Sequence, residues 1–142
     1  LAPKGHSYLG SVTRAATQFN KLCYGQVDRM VTDTRTLLTE GLKLATKTFG
    51  AAREALGWVV GELDQFIIHQ VSKAHTESLM KLLGLDSKKV HRIYPHLGNI
   101  GPASVPIALA NAVALGKVKD GDRVALLGIG SGLNCSMAEI VW

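Results

Sequence analysis

Apolar positions in the first half of the chain recur with the spacing of an amphipathic helix. Between about residues 34 and 56 they follow one another at alternating intervals of four and three residues, which places them on one helical face. The series is Leu38, Leu42, Ala45, Phe49, Ala52 and Leu56. Gly57 comes next, and glycine suits a helix C-terminus because it adopts positive φ without strain. The pattern predicts a long helix with one buried face.

Two shorter helices are predicted further along the chain. One covers about residues 73–83, where Ser72 can cap the first turn and Gly84 ends the helix. The other covers about residues 105–115 and contains Pro106. Proline is tolerated there because the first helical turn does not need its missing N–H.

Strands are predicted where short apolar or β-branched runs lie between these helices. The clearest is the run Phe66-Ile67-Ile68 within residues 64–70. The others cover residues 11–17, 90–94, 123–129 and 136–142. With residues 1–10 as a loop that leads into the fold, the element order is βαβαβαββ. This order predicts one α/β domain over residues 1–142, with a mostly parallel five-stranded sheet and helices on its faces.

Composition narrows the class of protein. With 142 residues, of which 46% are hydrophobic, the chain can bury one ordinary core. The net charge of +5 is compatible with acidic or phosphate-bearing partners, and equally with a solvated basic surface. No basic run interleaved with aromatics indicates nucleic acid, and no apolar run reaches the roughly 18 residues of a membrane helix. We expect a soluble, cytoplasmic protein without membrane insertion.

The cysteines and most of the histidines do not form a recognisable site in the sequence. Cys23 and Cys135 are too few for a disulfide framework and share no metal-ligand spacing, so we expect unreactive thiols in a reducing compartment. His75, His91 and His96 form no i, i+4 pair of the kind that binds zinc on a helix. We therefore expect no metal site.

His69 and Asn99 are the candidate functional residues. His69 follows the apolar strand, and Asn99 lies thirty residues later in a glycine-flanked turn. Side chains at neighbouring strand ends of an α/β sheet can project into one cavity, where ligands of such sheets bind. Taken alone, His69 is better interpreted as a hydrogen-bonded core histidine and Asn99 as a turn residue. Together they favour a shared site.

The glycine-rich stretch at residues 128–132 has two interpretations. A dinucleotide site requires a helix N-terminus directly after the glycines, whereas only ten residues follow Gly132 and they have the pattern of a strand. The stretch is therefore either a loop whose backbone approaches a substrate or a tight β-hairpin turn.

Several ordered motifs carry a family resemblance that spans most of the chain. They are Ile68-His69-Gln70, Gly98-Asn99-Ile100-Gly101-Pro102-Ala103-Ser104-Val105-Pro106, Gly121-Asp122-Arg123-Val124 and Gly128-Ile129-Gly130-Ser131-Gly132-Leu133-Asn134. In this order they resemble the C-terminal half of a ketoacyl synthase III of the thiolase superfamily. Within that group the chain is most similar to the OleA-type enzymes, which join two fatty acyl-CoA thioesters head to head without decarboxylation.

The resemblance implies a Claisen condensation that yields a β-ketoacyl thioester, with acyl-CoA or acyl-ACP as substrate and no cofactor. It implies that His69 and Asn99 belong to a Cys-His-Asn site, in which a neutral imidazole and a carboxamide donate hydrogen bonds to the thioester oxygen. It also implies that Gly130, Ser131 and Gly132 line the pocket and complete the oxyanion hole around the acylated cysteine.

The nucleophile that the resemblance implies is a cysteine at a helix N-terminus in the N-terminal half of the fold. Neither Cys23 nor Cys135 lies in a strand-to-helix turn. We therefore expect this chain to act with a second chain that forms the N-terminal thiolase half and carries the nucleophile, in a heterotetramer of two such pairs. Two alternatives stay open: a malonyl-dependent 3-oxoacyl-ACP synthase III-type subunit, and a non-catalytic scaffold or binding half.

Overall fold

Strands and helices alternate along the chain in the computed structural model, which describes residues 5–142. The strands are β1 (Ser7–Ala15), β2 (Cys23–Gly25), β3 (Met30–Thr32), β4 (Gln65–Ile68), β5 (Arg123–Gly130) and β6 (Asn134–Val141). The α-helices are α1 (Thr34–Ala55), α2 (Lys73–Leu83), α3 (Tyr94–Leu97) and α4 (Ser104–Ala114). Short 3₁₀ turns lie at Thr17–Leu22, Val60–Glu62, Ser87–Lys89 and Gly101–Ala103. No helix within the described range is long and apolar enough to cross a membrane.

The main sheet is mixed and mostly antiparallel, with four strands in the spatial order β1-β6-β5-β4. Only β4 and β5 are parallel, because the connection between them passes through helices. β6 follows β5 after a short turn and must run antiparallel to it, and β1 then pairs antiparallel with β6. The α/β class is confirmed, whereas the prediction of a mostly parallel five-stranded sheet was wrong.

One of the five predicted strands, at residues 90–94, does not form. A single parallel bridge between Val90 and Phe66 is what remains of it. The backbone N–H groups of Ile93 and Tyr94 donate to the side-chain oxygen of Gln70, at 2.8 and 3.1 Å, and not to a neighbouring strand. Pro95 lies in the first turn of α3, where its fixed φ favours the helix. A buried side chain thus replaces the strand ladder that the β-branched pattern suggested.

The N-terminal region also differs from the prediction. β1 begins at Ser7, within the stretch predicted to be a loop at residues 1–10, and pairs there with Val141. Residues 1–4 of that loop lie outside the described residues. The β2–β3 hairpin was not predicted at all. β1 is an edge strand and both hairpin strands are short, so most of their side chains are exposed and carry little alternating pattern.

The predicted helices are confirmed to within one residue at each end. Asp33 caps α1 by accepting a hydrogen bond from the Thr36 N–H at 3.0 Å, and Ser72 caps α2 by accepting from the His75 N–H at 3.3 Å. Gly84 ends α2 at φ +67°, the left-handed conformation that glycine adopts without strain. The predicted helix ends agree with the structure because capping depends only on residues that are close in sequence.

Helices cover both faces of the main sheet. Side chains alternate along β4, so Phe66 and Ile68 face one layer and Ile67 faces the other. The first layer contains α1 and α2, whose buried residues include Phe49 and Leu79. The opposite layer contains α4, with its fully buried alanines. The sheet is therefore buried on both faces at the strand that delivers His69.

Glu139 places a carboxylate in the interior beneath α1. It is 1% exposed, and its two oxygens accept hydrogen bonds from the Trp58 indole N–H at 2.8 Å and from the Arg123 Nε–H at 2.7 Å. Arg123 also lies 3.7 Å from the exposed carboxylate of Glu62. Arg123 thus pairs with one buried and one exposed carboxylate. Removing each carboxylate in turn compares the stability that a buried and an exposed ion pair contribute.

We expect Glu139→Ala to lower the free energy of unfolding by about 1–3 kcal/mol, because it leaves the buried indole N–H of Trp58 without an acceptor and removes the buried partner of Arg123. Glu62→Ala removes the exposed partner of the same Arg123 and should cost less than about 1 kcal/mol. Urea unfolding of the two variants beside the parent protein measures the difference. Equal losses would show that Glu139 does not stabilise the fold as described.

Candidate active site

His69 extends the ladder of β4 by one residue. Its backbone N–H donates to the Leu127 carbonyl at 2.8 Å, so β5 positions the residue before its side chain leaves the sheet. The ring is half-buried, and burial lowers the pKa of the imidazole below 6.5, while a hydrogen bond with the Gly101 backbone raises it. The net direction is downward, so the ring is mainly neutral at pH 7.

The hydrogen bond to Gly101 decides what the neutral ring can do. Because it raises the pKa, it is a bond in which a ring N–H donates to the backbone carbonyl. The other ring nitrogen of a neutral imidazole then carries no proton and is an acceptor. His69 is therefore suited to take up a proton first, and it becomes a second donor only after it is protonated. The expectation that the neutral ring donates to the thioester stays a prediction.

Asn99 lies on an exposed loop between α3 and the Gly101–Ala103 turn. Its side-chain oxygen accepts a hydrogen bond from the Gly101 N–H at 3.0 Å. Gly98 and Gly101 on either side have φ +64° and +59°, so the shape of the loop requires glycine at both positions. Because the oxygen faces the backbone, the amide NH₂ is the end left to donate.

Gly101 brings the two candidate residues into one neighbourhood. Its backbone raises the pKa of the His69 ring, as a nearby carbonyl acceptor does, and its N–H donates to the Asn99 side chain. The two side chains thus lie beside the same residue. Asn99 does not itself line the small cavity beside His69.

Gln70 and Ser104 are site-forming residues that sequence reasoning left without a role. Gln70 is fully buried, its side-chain NH₂ donates to the His91 carbonyl at 2.7 Å, and its oxygen binds the N–H groups that precede α3. Its own N–H donates to the Ser104 hydroxyl at 3.0 Å. These bonds join the end of β4 to both ends of the loop that carries Asn99. A glutamine directly after a buried strand was the available signal.

The predicted substrate loop forms a hairpin turn between β5 and β6. Gly130 pairs with Asn134, the Asn134 NH₂ donates to the Ser131 carbonyl at 3.1 Å, and Gly132 has φ +120°. The hairpin interpretation of this stretch is confirmed. Gly130, Ser131 and Gly132 do not line the cavity beside His69, although Gly128 and Ile129 do. A pocket role for the three residues stays a prediction.

The two thiols have opposite environments. Cys135 is 1% exposed, and burial raises the pKa of its thiol to about 11, against a smaller lowering by a hydrogen bond with the Thr48 side chain. Cys23 is half-buried, and hydrogen bonds from the side chains of Ser131 and Thr32 lower the pKa of its thiol. The hairpin β2–β3 therefore places Cys23 against the turn at Ser131, which the sequence did not suggest.

No three of the His, Cys, Asp and Glu side chains between residues 5 and 142 are grouped so that they could hold a metal ion. His75 is the one other histidine beside the His69 cavity in this part of the chain. The arrangement can thus accept and donate protons and hydrogen bonds to a ligand.

Comparison with known proteins gives a consistent set of relatives. Residues 53–142 match the family model described as 3-oxoacyl-[acyl-carrier-protein (ACP)] synthase III C terminal. Over all 142 residues the chain is 63% identical to the acyl-CoA:acyl-CoA alkyltransferase of Xanthomonas campestris pv. campestris, and it covers 42% of that protein. It is 36% identical over 146 residues to the acyl-CoA:acyl-CoA alkyltransferase of Shewanella oneidensis, covering 96% of this chain and 42% of that one.

Two solved structures superpose on nearly the whole chain. A variant of Xanthomonas campestris OleA with bound lauric acid and lauroyl-CoA has a TM-score of 0.94 at 63% identity, over 99% of this chain and 42% of that chain. A 3-oxoacyl-(acyl carrier protein) synthase III, FabH, from Xanthomonas oryzae pv. oryzae has a TM-score of 0.93 at 64% identity, with the same coverage. The chain thus spans less than half the length of these relatives.

We expect the free energy of unfolding to fall as the pH drops below about 6.5, because burial lowers the pKa of His69 and of His75. In that range the unfolded state takes up protons that the folded state binds only at lower pH; above it, both imidazoles are neutral and their contribution is constant. Urea unfolding at a series of pH values measures the slope. His75→Leu should flatten it, whereas Leu79→Ala, on the wall of the same cavity, should lower stability equally at every pH.

The two thiols should differ in alkylation rate. At pH 8, a thiol with a pKa of about 11 is ionised to about one part in a thousand, so Cys135 in the folded protein should resist iodoacetamide while Cys23 reacts. Peptide mass spectrometry over time separates the two sites. After unfolding in urea both should react at similar rates, and equally fast labelling in the folded state would contradict the burial of Cys135.

Proposed function

Since the chain belongs to the 3-oxoacyl-[acyl-carrier-protein] synthase III C-terminal family, we propose that it supplies the histidine and asparagine of an acyl-condensing active site. It corresponds to the C-terminal half of an OleA- and FabH-type thiolase-family condensing enzyme. The proposed reaction joins two fatty acyl-CoA thioesters by Claisen condensation into a β-ketoacyl thioester. The observation that carries the proposal is that Gly101 holds the Asn99 side chain by its N–H at 3.0 Å and is also the backbone neighbour that raises the pKa of His69, so both side chains lie beside one residue.

The substrate class follows from the relatives and from the chemistry of the site. The two acyl-CoA:acyl-CoA alkyltransferases support acyl-CoA thioesters for both acyl groups. Uncharged donors suit a thioester, since its carbonyl oxygen becomes negative only during the reaction and needs donors that are already in place. Asn99 supplies such a donor as it stands.

Formation of the acyl-enzyme uses His69 first as a base. The neutral ring takes the proton of the nucleophilic thiol while the sulfur attacks the carbonyl carbon of the first acyl-CoA. The carbonyl oxygen becomes an oxyanion, which accepts hydrogen bonds from the Asn99 NH₂ and the His69 imidazolium. The intermediate collapses with loss of the CoA thiolate, to which His69 returns the proton.

In the condensation step, His69, which is neutral again once the first CoA has left, takes a proton from the α-carbon of the second acyl-CoA. The negative charge left on that α-carbon is delocalised onto the thioester oxygen of the second acyl-CoA, where donors such as the Asn99 NH₂ stabilise it. The α-carbon then attacks the acyl-enzyme carbonyl, and the cysteine sulfur leaves. His69 then gives the α-proton to that sulfur, which regenerates the thiol.

We place the nucleophile outside residues 1–142. The raised pKa of buried Cys135 makes it a poor nucleophile, and Cys23 lies on the β2–β3 hairpin rather than in a strand-to-helix turn. We propose that the catalytic cysteine belongs to an N-terminal thiolase half. The arrangement expected from the sequence is that this half is a second chain, and that two such pairs of chains form a heterotetramer. Native mass spectrometry of the purified protein identifies that half and the stoichiometry.

A second candidate is the malonyl-dependent reaction of a 3-oxoacyl-ACP synthase III. It is favoured by the 64% identity to the solved structure from Xanthomonas oryzae, which is named a 3-oxoacyl-(acyl carrier protein) synthase III. The two candidates share the roles of His69 and Asn99 and differ in the second substrate. The assembled enzyme is supplied with acyl-CoA alone, or with acyl-CoA and malonyl-ACP together. Only the malonyl-dependent reaction releases CO₂.

We expect His69→Ala or Asn99→Ala to reduce condensation by the assembled enzyme about 10²- to 10³-fold, the usual effect of removing one oxyanion donor. Asn99→Asp is the sharper variant, because it keeps the oxygen that accepts from Gly101 and replaces the NH₂ donor by a carboxylate oxygen, which cannot donate and repels the oxyanion. Release of CoA and formation of the β-ketoacyl product are measured together. His96→Ala, on the exposed end of α3, is the control and should retain full activity. Near-normal turnover of the Asn99→Asp variant would rule out its proposed role.

A further inference from the structure

His91 is a buried histidine whose two ring nitrogens both have hydrogen-bond partners. It is 5% exposed. Its Nδ1 lies 3.2 Å from the ammonium nitrogen of Lys117, and its Nε2 lies 2.7 Å from the side-chain oxygen of Asn111. A lysine ammonium can only donate, so Nδ1 accepts, and Nε2 carries the proton that is donated to Asn111. Lys117 thereby selects the one tautomer in which His91 donates to Asn111.

Both partners of the ring belong to the C-terminal end of α4. Asn111 lies in the last turn of that helix. The backbone N–H of Lys117 donates to the Ala112 carbonyl at 2.9 Å, so Lys117 is held against the same end of the helix. His91 comes before the loop that carries Asn99, and α4 comes after it. The ring of His91 therefore joins the start of that segment to the far end of the helix that follows it.

These contacts close a ring of attachments around residues 92–103. The Gln70 N–H donates to the Ser104 hydroxyl at the start of α4, at 3.0 Å, and the Gln70 side-chain NH₂ donates to the His91 carbonyl at 2.7 Å. His91 in turn binds Asn111. Ser104 and Asn111 lie about two turns apart, or about 10 Å along the helix. One attachment would let α4 pivot, whereas two attachments at that separation fix its direction as well as its position.

We propose that His91 is a positioning residue for Asn99, and that Lys117 keeps it in the tautomer that binds Asn111. The Asn99 loop leads from the segment after His91 into α4, so fixing these two ends relative to each other holds the loop in one shape. A donor stabilises the developing oxyanion only from the right position, and a displacement of about 1 Å can cost about 10²-fold in rate. The inference rests on the proposed function, since His91 acts through the Asn99 donor.

Substitution of Asn111 tests the attachment. Asn111 is exposed, so Asn111→Leu removes the oxygen that accepts from His91 without opening the core, and Asn111→Asp keeps that oxygen. In the assembled enzyme we expect kcat to fall at least about 10-fold for the Leu variant, with KM little changed, because a misplaced donor affects the chemical step. The Asp variant should stay within about 3-fold of the parent. A parental kcat in the Leu variant would rule out the attachment.

A double substitution tests whether the effect passes through Asn99. If it does, adding Asn111→Leu to Asn99→Ala should lower kcat by less than about 2-fold, because the donor that is positioned is already absent. A further fall of about 10-fold in that background would show that the contact only supports the fold. The role of His91 would then be wrong, while the proposed function would stand. If Asn99→Ala alone keeps near-normal turnover, the proposed function fails first.

Lys117→Met tests the choice of tautomer, and Lys119→Met is its matched control. Both remove one exposed lysine, and Lys119 lies two residues further along, where its backbone N–H binds Asp122. We expect ¹⁵N NMR to show the His91 proton on Nε2 in the parent and on either nitrogen in the Lys117→Met variant. The kcat of that variant should fall at least about 3-fold, the usual effect of one hydrogen bond. If the two lysine variants behave alike, Lys117 does not set the tautomer. Should Asn111→Leu fail to fold, this comparison decides.

Discussion

The buried carboxamide of Gln70 is the interaction on which the geometry of the site depends. It directly follows His69 and binds three backbone groups of residues 91–94, while its own N–H binds Ser104. These bonds attach the loop that carries Asn99 to the strand that carries His69. Removing the side chain would leave several buried backbone groups without partners, at about 1–3 kcal/mol each. The carboxamide therefore replaces a strand ladder as the support of the site.

This arrangement also explains how Asn99, the proposed catalytic residue, can be held in place on an exposed loop. Asn99 has few packing contacts of its own, but the loop is bounded by Gln70 and Ser104 and shaped by two glycines with positive φ. The position of its NH₂ follows from the bond between its oxygen and Gly101. An exposed loop residue of this kind can keep one position because the residues that bound the loop are buried in the fold.

Environment, more than residue type, separates the side chains of similar chemistry. Burial makes Cys135 a weakly acidic core thiol, whereas two hydroxyl groups stabilise the thiolate of Cys23. His69 and His75 both have lowered pKa values because both are largely withdrawn from water. In each case the decisive neighbours are distant in sequence: the turn at Ser131 meets the β2–β3 hairpin, and strands β5 and β6 border the cavity of the two histidines.

The sequence by itself determined the α/β class, the family and the three long helices, because helix periodicity, capping residues and ordered motifs are local. It also identified His69 and Asn99 as candidates. It could not determine that residues 90–94 form one bridge in place of a strand, since the side chain that binds them, Gln70, belongs to another element. The mixed sheet, the edge strand β1 and the placement of Cys23 and His75 likewise came only from tertiary structure. Each depends on which segments meet across long sequence separations, and hydrophobic pattern carries little information about that choice.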